Sequence, residues 1–338
     1  MTAATPRRAA APHLSVIVPC FDATVTLPLT LQSLYEQTDA PPTEILVVDN
    51  RSRDDLRGLV GRWAREHEAA HVLDLRVVDA FAHQGTSYAC NVGAAHARAQ
   101  RLVFLDADDA ASVRWLADAA ALFERADVFC GSAISVAGEE FVRPLSQIRA
   151  LIEAPHAPLG PFADQRTNAF PVLMGGDLGI TRDLFLSLGG FDQSLPLAGE
   201  DNELALRLRQ HGREISTSPA FRIAYRQRHV PAAVRAESRR AAAAHVLNAA
   251  RYGTLRRSPV VGGRHLFGTT LRPVRTLLRS FPRLTAGDLH SAANDASLAR
   301  GAWEGLWRYR IAGRPPAPRL GVGFEEGPGS AQDEEAGR

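Results

Sequence analysis

Short apolar runs alternate with helical periodicity along the first 130 residues. Leu14 to Pro19 is a β-branched run, and a helical stripe follows with Leu27, Leu31, Leu34 and Tyr35 on one face and Thr26 in the N-cap position. Glu44 to Asp49 is a second run, with a helix near 54–66 behind it. Leu75 to Asp79 and a small-residue helix near 87–99 come next. Arg101 to Asp106 precedes a helix near 112–125, and Asp127 to Cys130 closes the series. Strands joined through helices predict an α/β fold: a Rossmann-like, mostly parallel sheet with helices on both faces. Ligands bind such sheets at the carboxyl ends of the strands. Asp22, Asp49, Asp79 and Asp106 all stand at such ends.

The later chain divides differently. Residues 138–171 lack clear periodicity and read as a loop-rich region. Glu200 to Gln210 reads as a helix closed by Gly212. Pro231 to Ala250 reads as a long helix rich in Ala and Arg, with Pro at its first position. From Pro315 the chain is rich in Pro, Gly and acids, which predicts a disordered tail over 315–338.

Composition narrows the class. Of 338 residues, 45% are hydrophobic and 22% charged, so the chain can bury a full core and is not disordered throughout. Cys20, Cys90 and Cys130 are far apart, which argues against a disulfide framework and fits a reducing compartment. Leu14 to Val18 is too short for a signal-peptide core, and no apolar stretch is long enough to span a bilayer.

The net charge of +2 conceals an asymmetry. All basic residues other than His are Arg, and 14 of them lie between Arg222 and Arg283 beside a single acid, Glu237. Aliphatic and aromatic side chains are interleaved there and in the following Trp303 to Arg310 stretch. That mixture suits an anionic membrane surface; helices packed on a catalytic domain with exposed Arg are the alternative. No nucleic-acid-binding motif is present, and no nucleic acid is expected as a partner.

Three local patterns carry chemistry. Asp106-Ala-Asp108-Asp109 places three carboxylates directly after a strand. Sharing a hard cation such as Mg²⁺ or Mn²⁺ relieves their repulsion; capping the next helix is the other use for them. Gly199-Glu200-Asp201 opens a helix, where the dipole favours carboxylates, and one of them can serve as a general base. Gly85 to Gly93 opens another helix, whose free N–H groups suit a phosphate. Later, Arg226 and Arg228 are candidates for diphosphate capture, or members of an ordinary edge strand. His229 is either an exposed histidine or a metal contact.

Taken in order, Val16 to Pro19, Val47-Val-Asp49-Asn50-Arg-Ser52, the Gly85–Gly93 loop, Phe104 to Asp109, Gly189-Gly-Phe-Asp192 and Gly199-Glu200-Asp201 resemble the family 2 glycosyltransferases of the GT-A fold. The resemblance covers about residues 13–230. It implies a nucleotide-binding half over 13–130 and an acceptor half over 131–230. A flexible segment (1–12) precedes them, and a basic helical region (231–314) follows.

The resemblance also implies roles. Asp49 would contact the nucleobase, with Pro19, Phe21 and Asp22 beneath it and Asn50, Ser52, Gly85 and Asn91 completing the donor site. Asp106 would lie near the ribose, and Asp108, with Asp106, would hold Mn²⁺ or Mg²⁺. Asp201 would be the base and Glu200 its neighbour, for a single inverting displacement from a nucleotide-diphosphate sugar to an acceptor hydroxyl. Cell-envelope or glycoconjugate synthesis with a lipid-linked acceptor, on the inner face of the plasma membrane, is the setting this suggests.

There are departures from the pattern. Cys90 precedes Asn91 where a basic residue is common, and Asp22 stands where Asn is usual. The Q-x-x-R-W motif of processive synthases does not follow Asp201, which points to one sugar per encounter. A sugar nucleotidyltransferase would carry a Gly-rich basic loop after its first strand, but Cys20-Phe-Asp-Ala-Thr is neither. An inactive scaffold of the same fold is the non-enzymatic alternative, against which the retained Asp106, Asp108 and Asp201 argue.

Overall fold

The computed structural model describes residues 11–153, 163–164, 170–195, 198–227 and 230–327. Its strands are β1 (Leu14–Cys20), β2 (Thr43–Asp49), β3 (Val72–Asp79), β4 (Arg101–Leu105), β5 (Ala110–Ala111), β6 (Val128–Ala137), β7 (Ala163–Asp164), β8 (Asp177–Thr181) and β9 (Ser216–Gln227). Its α-helices are α1 (Leu27–Tyr35), α2 (Leu56–Glu66), α3 (Thr86–His96), α4 (Trp115–Phe123), α5 (Leu145–Ile152), α6 (Arg182–Ser187), α7 (Glu200–Gln210), α8 (Pro231–Arg251), α9 (Arg264–Ser280) and α10 (Ala286–Leu306).

One sheet runs β3-β2-β1-β4-β8-β6-β9-β5, with β7 beside β9. The first four strands pair in parallel, in the register Cys20, Asp49, Asp79 across their carboxyl ends. Beyond β4 the parallel series is interrupted. β8 inserts antiparallel between β4 and β6, so the sheet is mixed. The cause is the chain after β6, which returns to the sheet before continuing to β9.

Alternation along the strands builds both faces. Ile17, Leu46, Val48 and Phe104 pack with α3, α6 and α7. Val16, Val18, Ile45, Val47, Val103 and Leu105 pack with α1, α2 and α4. The unpatterned middle also holds structure: a 3₁₀ turn over Gly138–Val142 and α5, whose Leu145, Ile148 and Ile152 bury with Phe141 and Ala224.

Helix ends depart from the sequence reading in two places. Thr26 sits at the N-cap of α1, but its hydroxyl donates to Ala23 O (3.4 Å) and caps nothing. The N-cap of α4 is Arg114, so neither Asp108 nor Asp109 caps that helix. α8 and α10 pack closely around Ala242, Val246 and Ala302. No helix among the described residues is long and apolar enough to cross a membrane.

The expectation of disorder from 315 is wrong for 315–327. Phe324 packs against the α3 face of the core, and the side chain of Asn91 donates to Val322 O (2.9 Å). Arg319 N donates to Asp192 Oδ1 (2.8 Å), and the Tyr88 hydroxyl bonds Glu326. Composition hides these few anchors, each made to a residue distant in sequence. Residues 1–10 and 328–338 lie outside the described residues.

Candidate active site

A cleft of about 1220 Å³ opens at the carboxyl ends of the parallel strands. Asp106 follows β4 directly, and the turn is closed by Asp109 N donating to Asp106 O (3.2 Å). Asp106 and Asp108 are partly exposed in the cleft. Asp109 also lines the cleft but is buried, its Oδ1 accepting from Arg226 N (2.8 Å). Arg226 also donates from Nε to Asp108 O (3.0 Å) and lies 4.2 Å over the Phe141 ring. Its guanidinium is thus engaged with the back of the acidic turn, and it does not line the cleft.

Two glycines bring the second acidic pair to the first. A Cβ on Gly176 would lie 2.6 Å from Asp106 Oδ2, so only glycine lets this backbone pass so close. One on Gly175 would lie 3.6 Å from the Asp201 Cβ. The run into β8 therefore separates Asp106 from Asp201 by little more than main chain.

The turn at Gly199 is held rigidly. Its φ is +84°, and a Cβ there would meet Ala244 at 2.9 Å. Asn248 of α8 donates to Gly199 O (2.9 Å). Deeper in α7, Glu203 and Arg207 form a buried ion pair, and Arg207 donates to Gly190 O (2.7 Å). The hydroxyl of Tyr252, just past the end of α8, bonds Glu203. These links fix the start of α7, and with it Glu200 and Asp201, against the sheet.

Burial raises the pKa of both members of this pair. Asp201 is pushed up by burial, and opposed by N–H groups of Gly175 and Asn202. Its Oδ1 accepts from Asn202 N (2.6 Å) and Nδ2 (3.0 Å). Glu200 is pushed up to about 8 by burial, the Asp201 charge and the Asp106 charge. Its Oε2 is buried and unpartnered. Asp109 is likewise raised, by burial and by Asp106 and Asp108.

A raised carboxylate has a consequence for stability. Its contribution is fully present below the ordinary value of 4.5 and is lost as pH rises through about 8. Melting temperature should therefore fall across that window, and less steeply in Glu200→Gln. Parallel curves for wild type and variant, by calorimetry or circular dichroism, would show that Glu200 is not the strained group.

Of the residues expected at the donor site, Pro19, Phe21, Asp22, Asp106, Asp108, Glu200 and Asp201 line the cleft. Asp22, at φ +50°, is ion-paired with Arg53, and its Oδ1 accepts Arg53 N (2.7 Å). Several others do not line it. Asp49 is buried and accepts Ser52 N (2.8 Å). Asn50 donates to Ala80 O and His83 O and accepts Gly85 N (2.8 Å), so it ties down the 80–85 loop and occupies the Gly85 N–H expected to meet a phosphate. Asn91 is fully buried, bonded to Phe191 N and O and to Val322 O. These polar groups are consumed by the fold, a fact visible only once their partners are in place. Cys90 lines the cleft with its thiol pushed up by burial, so α3 offers no cation there. Arg228 and His229 lie outside the described residues.

One further wall was not foreseen. It comes from α8 and the turn after it: Glu237, Arg240, His245, Asn248 and Arg257. Arg240 and Arg257 are exposed and face the cleft where Arg226 was expected. The basic block announced that arginines were plentiful; nothing in its spacing assigned two of them to the cleft.

A divalent cation fits the donor set. Asp106 and Asp108 offer hard carboxylate oxygens; both charges raise Asp109, and that of Asp106 raises Glu200 as well. Among the described residues no three His, Cys, Asp or Glu side chains are grouped to hold a metal by themselves. Two carboxylates with further oxygens from a diphosphate are the usual way Mg²⁺ is bound.

A family model described as glycosyl transferase family 2 matches residues 15–185, about half of the chain and every strand from β1 to β8. The chain belongs to glycosyl transferase family 2. Curated relatives include the O-antigen biosynthesis protein RfbC of Myxococcus xanthus, 26% identical over 64% of this chain and 17% of its own. Another is N-acetylgalactosaminyltransferase 6 of Drosophila melanogaster, 28% identical over 63% of this chain and 34% of its own. The chain thus spans about a third or less of the length of these relatives. Among solved structures, the mannosyltransferase PcManGT from Pyrobaculum calidifontis, in complex with GDP-Man and Mn²⁺, superposes with a TM-score of 0.59 at 20% identity, over 90% of this chain and 91% of that one. S. aureus TarS superposes at 0.51 and 19%, over 88% of this chain and 56% of that one. At these identities the likeness is one of fold, and it extends past the matched family region into the helical C-terminal part.

Proposed function

We propose that this family 2 glycosyltransferase moves one sugar, with inversion, from a nucleotide-diphosphate sugar to an acceptor hydroxyl, using Mn²⁺ or Mg²⁺. The observation that carries the reading is the convergence of Asp106, Asp108, Glu200 and Asp201 on one cleft through the Gly175–Gly176 backbone. The GDP-Man and Mn²⁺ bound by the mannosyltransferase of similar fold support the donor class. Family membership sets aside the nucleotidyltransferase. The intact acidic pairs disfavour the scaffold.

Asp108 and Asp106 are the residues to hold the cation, which would supply charge neutralisation to the departing diphosphate. Arg240 and Arg257 line the same cleft, where they can meet the same negative charge. Asp201, supported by N–H donors, accepts the acceptor's proton as its oxygen attacks. Glu200 holds its own proton near neutral pH and limits the negative charge beside the base. A single base on the face of the sugar opposite the leaving group gives one in-line displacement and hence inversion. A lipid-linked acceptor in envelope or glycoconjugate synthesis fits the basic C-terminal region.

The test is incubation with a panel of nucleotide-diphosphate sugars and Mn²⁺. Release of nucleoside diphosphate above the spontaneous rate is expected for one class of donor, and NMR should find the product anomer inverted. Retention of configuration would overturn the single-displacement mechanism, and no turnover across the panel would favour the scaffold.

A further inference from the structure

We infer that α9 and the end of α10 form a docking surface for an anionic bilayer. α9 is amphipathic in an unusual sense, because its apolar stripe faces outward. Phe267, Val274, Leu278 and Phe281 recur at spacings of seven, four and three and are 68%, 52%, 68% and 72% exposed. At 100° per residue Phe267, Val274 and Leu278 fall within an arc of about 40°, and Phe281 follows just past the helix end. The opposite side of the helix is committed to the fold: Thr269 bonds Val260 O (2.8 Å), and Thr276 bonds Asp295 Oδ2 (2.8 Å). The outward stripe is therefore not a misplaced core face.

The surface continues onto α10. Trp303 Nε1 donates to Thr270 Oγ1 (3.1 Å), which sets the indole beside the stripe. Trp307 and Ile311, in the π-helical turn that follows α10 (Trp307–Ile311), come at intervals of four and are 63% and 62% exposed. Indole rings with one polar edge are suited to the boundary between headgroups and acyl chains.

Charge selects the occupant. Arg264, Arg272, Arg275 and Arg279 flank the stripe, and α9 contains no acid. They line a groove of about 870 Å³ between α9 and α10. The acids nearby are engaged: Asp295 with Arg272 and Thr276, Asp288 with Ser280 and Thr285, and Glu304 with Arg239 and Arg300. An apolar stripe bordered by arginines, of which Arg264, Arg275 and Arg279 have no ion pair among the described residues, complements lipid tails beneath anionic headgroups. A symmetric pairing with a second copy would instead bring like charges together.

Pro259 lines both this groove and the catalytic cleft, so docking would hold the cleft beside the headgroups, within reach of a membrane-borne acceptor. That consequence rests on the proposed transferase reading; the docking itself does not.

The test uses the full chain and no donor. Flotation with vesicles of phosphatidylcholine and phosphatidylglycerol in equal parts is expected to carry the protein, with a blue shift of Trp303 and Trp307 fluorescence. Phosphatidylcholine alone should not, and about 1 M salt, where the Debye length is about 3 Å, should release most of it. Arg275→Gln with Arg279→Gln should weaken partitioning about 25-fold. Phe267→Ser with Leu278→Ser and Phe281→Ser should weaken it at least about tenfold. In both variants stabilisation by nucleoside diphosphate and Mn²⁺ should equal that of wild type, which certifies the fold. Equal binding to neutral vesicles, or indifference to both sets of substitutions, overturns the proposal. So does stripe-dependent dimerisation in sedimentation velocity without vesicle binding, which would make a second copy the occupant.

Discussion

Asp201→Asn is expected to lower sugar transfer by about 10²–10⁴-fold while donor affinity stays near that of wild type. Asn is isosteric and keeps an oxygen to accept from Asn202 N, the 2.6 Å bond that anchors the side chain. The turn itself is set by Gly199, Asn248 and the Glu203–Arg207 pair, none of which changes. What is lost is the capacity to take a proton. Glu200 is the rival base, adjacent in sequence and lining the same cleft. Its carboxyl, pushed up to about 8, is mostly protonated at neutral pH, so it is the poorer acceptor of a proton there. Glu200→Gln should therefore cost less than Asp201→Asn. Initial rates of transfer, with nucleotide affinity by calorimetry, separate the two. If Asp201→Asn stays active and Glu200→Gln is dead, the base is Glu200. If both retain near-normal rates, this acidic pair is not catalytic.

Asp108→Ala should remove the metal-dependent part of donor binding, weakening nucleoside diphosphate affinity about 10²-fold or more in the presence of Mn²⁺. The substitution is interpretable because Arg226 holds the turn through the main-chain oxygen of Asp108 and the carboxylate of Asp109, not through the Asp108 side chain. The loop should keep its shape while the cation loses a ligand and the diphosphate faces less well screened carboxylates. Chelation of the metal from the wild type should reproduce the same affinity. Titration calorimetry that finds Asp108→Ala binding as tightly as wild type, with the same dependence on Mn²⁺, would exclude Asp108 as a ligand.

The local chain determined a good deal by itself. The near-continuous apolar runs within Leu14–Cys20 and Thr43–Asp49 are a property of neighbouring residues, and they specify both strands and their burial on two faces. The acidic residues at strand ends and at the start of α7 were legible for the same reason, since each motif is contiguous. Other decisions needed the tertiary structure. Asn50, Asn91 and Gly85 are polar or glycine positions in a recognisable loop, yet their hydrogen-bonding groups are taken up by partners such as Phe191 and Val322, a hundred or more residues from Asn91. β8 could not be foreseen between β4 and β6, because strand order depends on where a long excursion re-enters the sheet. Arg240 and Arg257 join the cleft only because α8 folds back across it. The stripe on α9 shows the same division. Its periodicity is written in the sequence, but whether that stripe faces the core or the solvent is settled by which side of the helix finds α10. A hydrophobic period states that a face exists. Only packing, which depends on contacts between residues far apart in the chain, states what that face meets.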